Sequence, residues 1–160
     1  MQKTILIPTD FTVGSLLLVK QAVSQNQNNN LNIILLYSCF LTDSITELLF
    51  YSQEKIIKEK SDPKFHEALS VITNRYSEQI NNIEIEVFHG YSTSAIESYI
   101  EKNKINQVFI PKNQVFKETG NYFDLTSIIK KSKLNYTELS WMENTDYTTH
   151  GNNLANLFID

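Results

Sequence analysis

The chain begins with a short apolar run, residues 4–7, which stops at Pro8 and is followed by an acid, Asp10. Apolar runs bounded by turn residues are typical of strands that are buried on both faces of a parallel sheet. A helical pattern over residues 15–25 follows within a few positions. In doubly wound sheets, ligands sit at the carboxyl ends of such strands. Asp10 is therefore predicted to lie at the mouth of any site that the fold possesses.

Further strand-like segments alternate with helical patterns along the chain. The later strands are predicted over residues 31–37, 83–88, 107–110 and 136–141, the last running from Tyr136 to Trp141. Two helical patterns separate the second and third strands; they consist of Ile45, Leu48, Leu49 and Ile56, and of Phe65, Leu69, Ile72, Tyr76 and Ile80. This alternation predicts an α/β fold, an open doubly wound five-stranded parallel sheet with helices on both faces.

Local signals mark where the predicted helices begin. Asp62 precedes Pro63 between the two helical patterns, and an Asp cap before a proline at the first helical position starts a helix. Ser94, with Glu97 three residues later, forms a capping-box pattern for a helix before the fourth strand. A last helix is predicted over residues 124–133.

Composition is that of a globular protein and excludes several functions. The 160 residues are expected to form an α/β domain, residues 1–142, and a polar C-terminal tail, residues 143–160. No apolar run approaches the ~18 residues of a membrane span, and the N-terminus lacks a signal-peptide pattern. A net charge of −4 without a basic cluster argues against nucleic-acid binding. The single cysteine, Cys39, fits a reducing compartment, so we expect a cytoplasmic protein that contacts no membrane.

The opening of the chain resembles the universal stress protein family, whose members begin with a buried strand, a Pro-x-Asp-Phe-Ser motif and an amphipathic helix. The residues that carry the resemblance are Pro8, Asp10, Phe11, Thr12, Ser15, Leu18, Val19 and Ala22. It continues more weakly through His89 and Gly90, through Ile96, and through Val108-Phe109-Ile110, and so extends over most of residues 3–142. The resemblance implies the strand order 3-2-1-4-5.

The resemblance also implies how ATP would be bound. Members that bind ATP carry a loop of the form Gly-x2-Gly-x9-Gly-Ser/Thr after the fourth strand, whose backbone N–H groups approach the phosphates. Here Pro111 and Gln114 stand at the first two glycine positions, and Phe123-Asp124 stands near the third. Pro111 has no N–H to donate, and Asp124 adds a negative charge. We therefore expect a divergent member that lacks the glycine-rich loop and has no cofactor.

Asp10 matches the family position that contacts the nucleoside end of the ligand. If a nucleotide-like ligand is bound, the resemblance implies that Pro8, Thr9, Asp10 and Ile110 contact it. The alternative is that Asp10 caps the helix that follows it, although Thr12 can serve as that cap as well.

Cys39 and His89 offer a remote enzymatic alternative. They follow the second and third predicted strands, which are neighbours in the sheet, so a thiolate could lie beside a histidine base. Nothing that flanks Cys39 resembles a nucleophile elbow. His66 and His150 lack the spacing of metal ligands, so no metal site is predicted.

The expected function is that of a non-enzymatic, stress-associated or regulatory protein that acts through dimerisation or through an unidentified protein partner. The second hypothesis is an adenine-nucleotide-binding protein that uses Asp10 and a remodelled loop. Family members commonly dimerise by pairing their fifth strands, and an uncovered edge strand must be paired, covered or blunted. Residues 136–141 contain no proline and a single charge, Glu138. The alternative cover for this edge is the tail, through Leu154, Leu157 and Phe158.

Overall fold

The computed structural model describes residues 2–41, 43–112 and 120–140, and within them five strands form one sheet. Along the chain the strands are β1 (Gln2–Pro8), β2 (Asn30–Ser38), β3 (Ile80–Phe88), β4 (Gln107–Pro111) and β5 (Thr137–Leu139). In the sheet they lie in the order β3-β2-β1-β4-β5, and each neighbouring pair is parallel. The predicted fold class and strand order are confirmed.

Helices cover both faces of this sheet. Along the chain they are α1 (Leu17–Ser24), preceded by a 3-10 turn over Val13–Leu16, and α2 (Ile45–Leu49), α3 (Gln53–Lys60), α4 (Pro63–Arg75), α5 (Thr93–Lys102) and α6 (Leu125–Lys131). Side chains alternate across each strand, so Leu35 and Tyr37 pack with α1, α3 and α4, whereas Leu36 packs with α5 and α6. Because both faces are covered, the central side chains of β1, from Ile5 to Ile7, are withdrawn from solvent completely.

The long connection between β2 and β3 differs from its predicted form. The pattern from Ile45 to Ile56 is divided into α2 and α3, because Ser52 adopts extended backbone and its side chain accepts a hydrogen bond from the Lys55 amide, which starts a new helix. The Asp62 cap is confirmed, since its Oδ1 accepts from the Phe65 amide at 2.9 Å.

The second helix of this connection ends earlier than its pattern predicts. α4 ends at Arg75, and Ile80 is the first residue of β3. Ile80 is buried in the same core cluster as α4, which is why its spacing matches the helical pattern. Periodicity records which side chains are buried but not the element that carries them.

The capping-box prediction at Ser94 was wrong. The N-cap of α5 is Ser92, whose Oγ accepts from the Ala95 amide at 3.1 Å, and Ser94 lies exposed inside the helix. Glu97 instead accepts a hydrogen bond from the Lys133 amide at 2.9 Å and so ties α5 to the chain beyond α6.

Other predicted boundaries moved by a few residues or lie outside the described residues. α6 begins one residue after Asp124, which is its N-cap, and ends at Lys131. β5 spans only three described residues. Trp141 and the tail, residues 143–160 with Leu154, Leu157 and Phe158, lie outside the described residues, so the domain boundary at 142 stays a prediction. Within the described ranges, no helix is long and apolar enough to cross a membrane.

Ser92, the N-cap of α5, and Ser94, inside the helix, provide a matched test of the cap assignment. Replacement of Ser92 by alanine should lower the free energy of unfolding by about 1 kcal/mol, because the Ala95 amide loses its acceptor. Ser94→Ala should leave it within ~0.5 kcal/mol of the wild type, since Ser94 is an exposed position within the helix. Urea unfolding followed by circular dichroism measures both. Equal losses in the two variants would contradict the assignment of Ser92 as the cap.

Candidate functional site

The turn after β1 holds Asp10 against its own loop. Asp10 Oδ1 accepts from both the Thr12 amide, at 3.0 Å, and the Thr12 hydroxyl, at 2.6 Å. Thr12 is in turn the N-cap of the 3-10 turn, because its Oγ1 accepts from the Ser15 amide at 3.3 Å. The carboxylate therefore orients the capping residue rather than capping the helix itself.

Phe11 bends the chain at this turn and anchors it in the core. Its φ of +64° lies in the left-handed region, which costs a residue with a side chain roughly 1–2 kcal/mol. Burial of the ring offsets this cost. The ring stacks on Tyr37 at a centroid distance of 4.4 Å and meets Phe65 edge-on at 5.3 Å. Burial, together with the nearby Cys39 and Asp10, raises the pKa of Tyr37 to about 12, so its hydroxyl stays neutral at physiological pH.

A segment beyond β4, residues 121–123, crosses the carboxyl end of β1. The Phe40 amide donates to Asn121 O at 2.7 Å, and the Phe123 amide donates to Ser38 O at 3.1 Å. Tyr122 forms an antiparallel bridge with Cys39. Strand β1 pairs with β2 only as far as Pro8. Beyond Pro8, residues 121–123 lie beside β2 in place of β1. We call residues 121–123 the crossing segment.

The crossing segment is fixed by aromatic packing. Tyr122 is buried with its ring centroid 5.2 Å from that of Tyr37, and the buried Phe123 ring lies 4.8 Å from Phe40 and 5.0 Å from Tyr91. In a sheet of this order, ligands bind where the strand order reverses, which is between β1 and β4. The crossing segment lies over the β1 side of that position.

The residues predicted to contact a nucleotide lie around this position. Pro8 and Ile110 are buried. Thr9 is buried as well; its amide donates to Leu36 O, and its hydroxyl pairs with Ser15 and accepts from the Phe11 amide. Asp10 is the half-buried member of the set. Contact of these residues with a ligand stays a prediction.

Of the positions that correspond to the glycine-rich loop, Pro111, Phe123 and Asp124 are described, while Gln114 lies outside the described residues. Pro111 is the buried last residue of β4. Gly120 has a φ of +58° and open space around it, so it serves a turn. Asp124 caps α6, with its Oδ1 accepting from the Thr126 amide at 2.9 Å. The start of α6 is therefore already occupied by a carboxylate of the protein itself.

The ring of His89 forms hydrogen bonds with Cys39 and Tyr51 at the carboxyl ends of β2 and β3. Its Nδ1 lies 2.8 Å from the Cys39 carbonyl oxygen and 3.7 Å from Cys39 Sγ. A carbonyl oxygen can only accept, so Nδ1 carries a hydrogen and donates it to that oxygen. In the neutral ring, Nε2 then accepts from the Tyr51 hydroxyl, 2.6 Å away.

This hydrogen-bonding pattern limits what the Cys39 thiol can do. Burial raises the pKa of the thiol, and the charge of Lys60 offsets only part of that rise. The imidazole nitrogen nearest Sγ already carries a hydrogen, so it cannot take the thiol proton. The predicted juxtaposition of Cys39 and His89 is present, but the geometry gives His89 no role as general base for this thiol.

A cavity opens beside these residues, between the carboxyl ends of β2 and β3 and helix α3. Its volume is about 300 Å³, within the range of ligand pockets, and we call it the α3 cavity. Its lining combines polar and charged residues with apolar ones: Cys39, Glu47, Tyr51, Ser52, Lys55, Glu59, Lys60, His89 and Asn121, together with Phe40, Leu41, Phe50 and Ile56. Asp10 is not among them. No sequence pattern predicts this cavity, because the residues that line it come from four separate segments of the chain.

The surface next to the cavity is apolar and exposed. Helix α2 has no buried residue, and its apolar side chains face solvent together with Phe50. Ile45, Leu49 and Phe50 are 75%, 77% and 71% exposed. We call these three residues and Leu48 the α2 surface. No group of three or more potential metal ligands occurs in the described part of the chain.

The reactivity of Cys39 tests the assignment at His89. At pH 7 the thiol should react with iodoacetamide more slowly than in the unfolded chain, and the rate should rise with pH, because the thiolate is the nucleophile and burial raises the thiol pKa. His89→Gln should change the rate at pH 7 by less than ~3-fold, well below the effect of removing a general base. A loss of ten-fold or more in this variant would show that His89 activates the thiol.

Comparison with known proteins identifies the fold. No protein-family model matches the sequence, and no curated protein matches it. Among solved structures, a protein of the universal stress protein family from Burkholderia pseudomallei matches with a TM-score of 0.52 at 8% identity, over 86% of this chain and 95% of that one. Universal stress protein UspA from Lactobacillus plantarum matches with a TM-score of 0.52 at 14% identity, over 86% and 97%. The chain has the fold of the universal stress proteins.

Proposed function

We propose that this chain is a non-enzymatic, cytoplasmic, stress-associated regulatory protein that acts by binding a partner or a second copy of itself, without ATP. The observation that carries the proposal is the crossing segment over the carboxyl end of β1. Ligands of this fold bind at the switch point between β1 and β4, and two backbone hydrogen bonds and two buried aromatic rings hold the segment beside that point.

The electrostatics of the region support the absence of ATP. Phosphates are bound by free backbone N–H groups and by positive charge. Here the Thr126 amide is taken by Asp124, and the Thr12 amide is taken by Asp10. A triphosphate at this position would meet two carboxylates, and like charges at close range repel by a kcal/mol or more once water is excluded.

The association with stress is supported by the fold that the chain shares with two solved universal stress proteins, and the cytoplasmic location by its cysteine content. The single cysteine, Cys39, is a free thiol, as is usual in a reducing compartment.

The exposed α2 surface supports a function in binding. Monomeric proteins rarely expose a contiguous apolar patch of more than a few hundred Å², and larger patches mark interaction sites. Ile45, Leu48, Leu49 and Phe50 are consecutive or one helical turn apart, and each is at least 43% exposed. Exposed apolar residues of this density favour a binding protein over a monomer without partners.

The outer edge of β5 supports self-association. The Lys112 amide donates to Leu139 O at 2.9 Å, so the backbone of Leu139 faces β4. The backbone groups of successive residues in a strand point to opposite sides. The N–H and C=O of Glu138 therefore point away from β4. A second copy related by a two-fold axis would pair these groups in an isologous interface.

Titration calorimetry tests the absence of ATP. With Mg²⁺-ATP we expect no binding with a dissociation constant below ~10 µM, about −7 kcal/mol. Tighter binding that is weakened in Asp10→Ala would contradict the proposal and favour a nucleotide-binding protein with a remodelled loop. Tight binding that Asp10→Ala leaves unchanged would contradict both hypotheses, because it would place the nucleotide elsewhere.

Two substitutions at Glu138 test pairing through β5. Sedimentation at micromolar concentration should give twice the monomer mass of 18.5 kDa. Glu138→Pro removes the outward N–H and should yield monomers. Glu138→Ala keeps that N–H and removes only the exposed ion pair with Lys130, so it should remain dimeric. A dimer that survives the proline would move the interface to another surface.

A further inference from the structure

Strand β3 forms the sheet edge opposite β5, and it pairs with β2 on one side only. The Cys39 amide donates to Phe88 O at 3.0 Å, so the backbone groups of Phe88 point to β2. In a strand, the N–H and C=O of one residue point to the same side and those of the next residue point to the other. Ile83, Ile85 and Val87 therefore direct their backbone groups away from the sheet.

Helix α3 covers only the end of this outer edge. The Val87 amide donates to Oε1 of Gln53, the first residue of α3, at 3.0 Å. Within the described part of the chain, neither Ile83 nor Ile85 makes an outward backbone hydrogen bond. Glu84, which lies between them, is exposed. The edge is therefore open over residues 83–85, and an open edge is a template for a further strand.

The two faces of this edge differ in chemistry. The half-buried side chains of Ile83 and Ile85 pack against the core on the face covered by α3 and α4. Glu84 and Glu86 alternate with them and lie on the other face. A strand added at this edge would continue both faces, because the side chains of paired residues lie side by side. Its apolar residues would adjoin the isoleucines, and its polar residues would adjoin the glutamates.

The negative charge of both glutamates is uncompensated. In the described ranges, neither Glu84 nor Glu86 forms an ion pair with a lysine or an arginine. Their partners are neutral: Glu84 accepts from the Asn82 side-chain amide at 2.8 Å, and Glu86 accepts from the Tyr99 hydroxyl. Burial, this hydrogen bond and the charges of Glu86 and Glu84 raise the pKa of Tyr99, so its hydroxyl stays protonated. Both carboxylates can thus attract a cation that comes to the edge.

A second copy of the chain is a poor partner for this edge. In a two-fold pairing, the register that uses the open groups of both strands sets Ile83 opposite Ile85. That register places the two copies of Glu84 directly opposite each other, where like charges destabilise a strand pair. Glu84 therefore protects the edge against self-association, as charged residues do on many edge strands. The same charge favours a strand that carries a cation at the facing position.

We propose that the open edge of β3 binds an extended basic segment of a protein partner by strand addition. Lysine or arginine side chains of that segment lie beside Glu84 and Glu86, and its alternate, apolar side chains lie beside Ile83 and Ile85. Backbone hydrogen bonds supply affinity, and the alternation of basic and apolar residues supplies specificity. Since the segment belongs to the partner that the proposed function leaves unidentified, the assignment rests on that function.

Three heptapeptides, blocked at both ends, test this assignment by titration calorimetry. They are alternating Lys-Val, Lys-Pro and Glu-Val peptides, each with the charged residue at positions one, three, five and seven. We expect the Lys-Val peptide to bind with one equivalent at submillimolar concentration. The Lys-Pro peptide has the same charge but cannot form a strand pair, so it should bind at least ten-fold more weakly, and the Glu-Val peptide should not bind.

Two outcomes of this series would overturn the proposal. Equal binding of the Lys-Val and Lys-Pro peptides would reduce the effect to general charge attraction. The other is the absence of saturable Lys-Val binding at millimolar concentration. If the protein then still sediments as a dimer, the proposed function stands without this assignment, whereas a monomer that binds none of the peptides would contradict both.

A pair of charge reversals locates the binding site. Glu84 lies on the open edge, whereas Glu67 is exposed on α4, and each replacement by lysine changes the net charge equally. Glu84→Lys should weaken the Lys-Val peptide about ten-fold and permit binding of the Glu-Val peptide. Glu67→Lys should change neither affinity by more than ~2-fold. Equal effects of the two variants would overturn the placement beside Glu84.

Amide hydrogen exchange provides a second measurement on the unmodified protein. Saturating Lys-Val peptide should slow exchange of the Ile83 and Ile85 amides at least ten-fold, because they gain acceptors. The Val87 amide already has Gln53 as its acceptor and should change little. Protection at Glu138 on the β5 edge, without protection at Ile83 and Ile85, would overturn the assignment of β3.

Discussion

The pairing of the crossing segment with the end of β2 is the contact on which the functional edge of this protein depends. Two backbone hydrogen bonds place residues 121–123 where β1 would otherwise continue beside β2. This placement brings Tyr122 onto Tyr37 and Phe123 onto Phe40, and it sets Asp124 at the start of α6. Without it, Tyr37, on which the Phe11 ring stacks, would lose its contact with the buried Tyr122 ring.

The sheet edge is divided into two halves with opposite properties. Over β1 the chain closes on itself, with its polar groups satisfied by Asp10, Thr12 and Asp124. Over β2 and β3 it is open, with a preformed cavity and the exposed α2 surface beside it. Ligand sites of doubly wound folds are grouped at this edge of the sheet.

The fold could be predicted from the sequence because each element is encoded locally. Continuous apolar strands such as residues 4–7, and start signals such as Asp62-Pro63, specify the alternation of strands and helices, and the resemblance to universal stress proteins added the strand order. The site could not be predicted to the same degree. Whether Asp10 points to a ligand or to Thr12 depends on a turn with positive φ at Phe11. The Tyr51–His89 contact and the crossing segment join residues that lie far apart in the chain, and single-sequence periodicity carries no information on such pairs.

The distance along the chain between β2 and the crossing segment has a consequence for synthesis. Strands β1, β2 and β3 all precede β4 in the chain, so the contacts among them can form while later residues are still being made. The crossing segment must wait until β4 and the residues beyond it have left the ribosome. On a growing chain, the ring of Tyr37 therefore lacks its contact with Tyr122, and the end of β2 lacks its antiparallel partner, until that segment has been made.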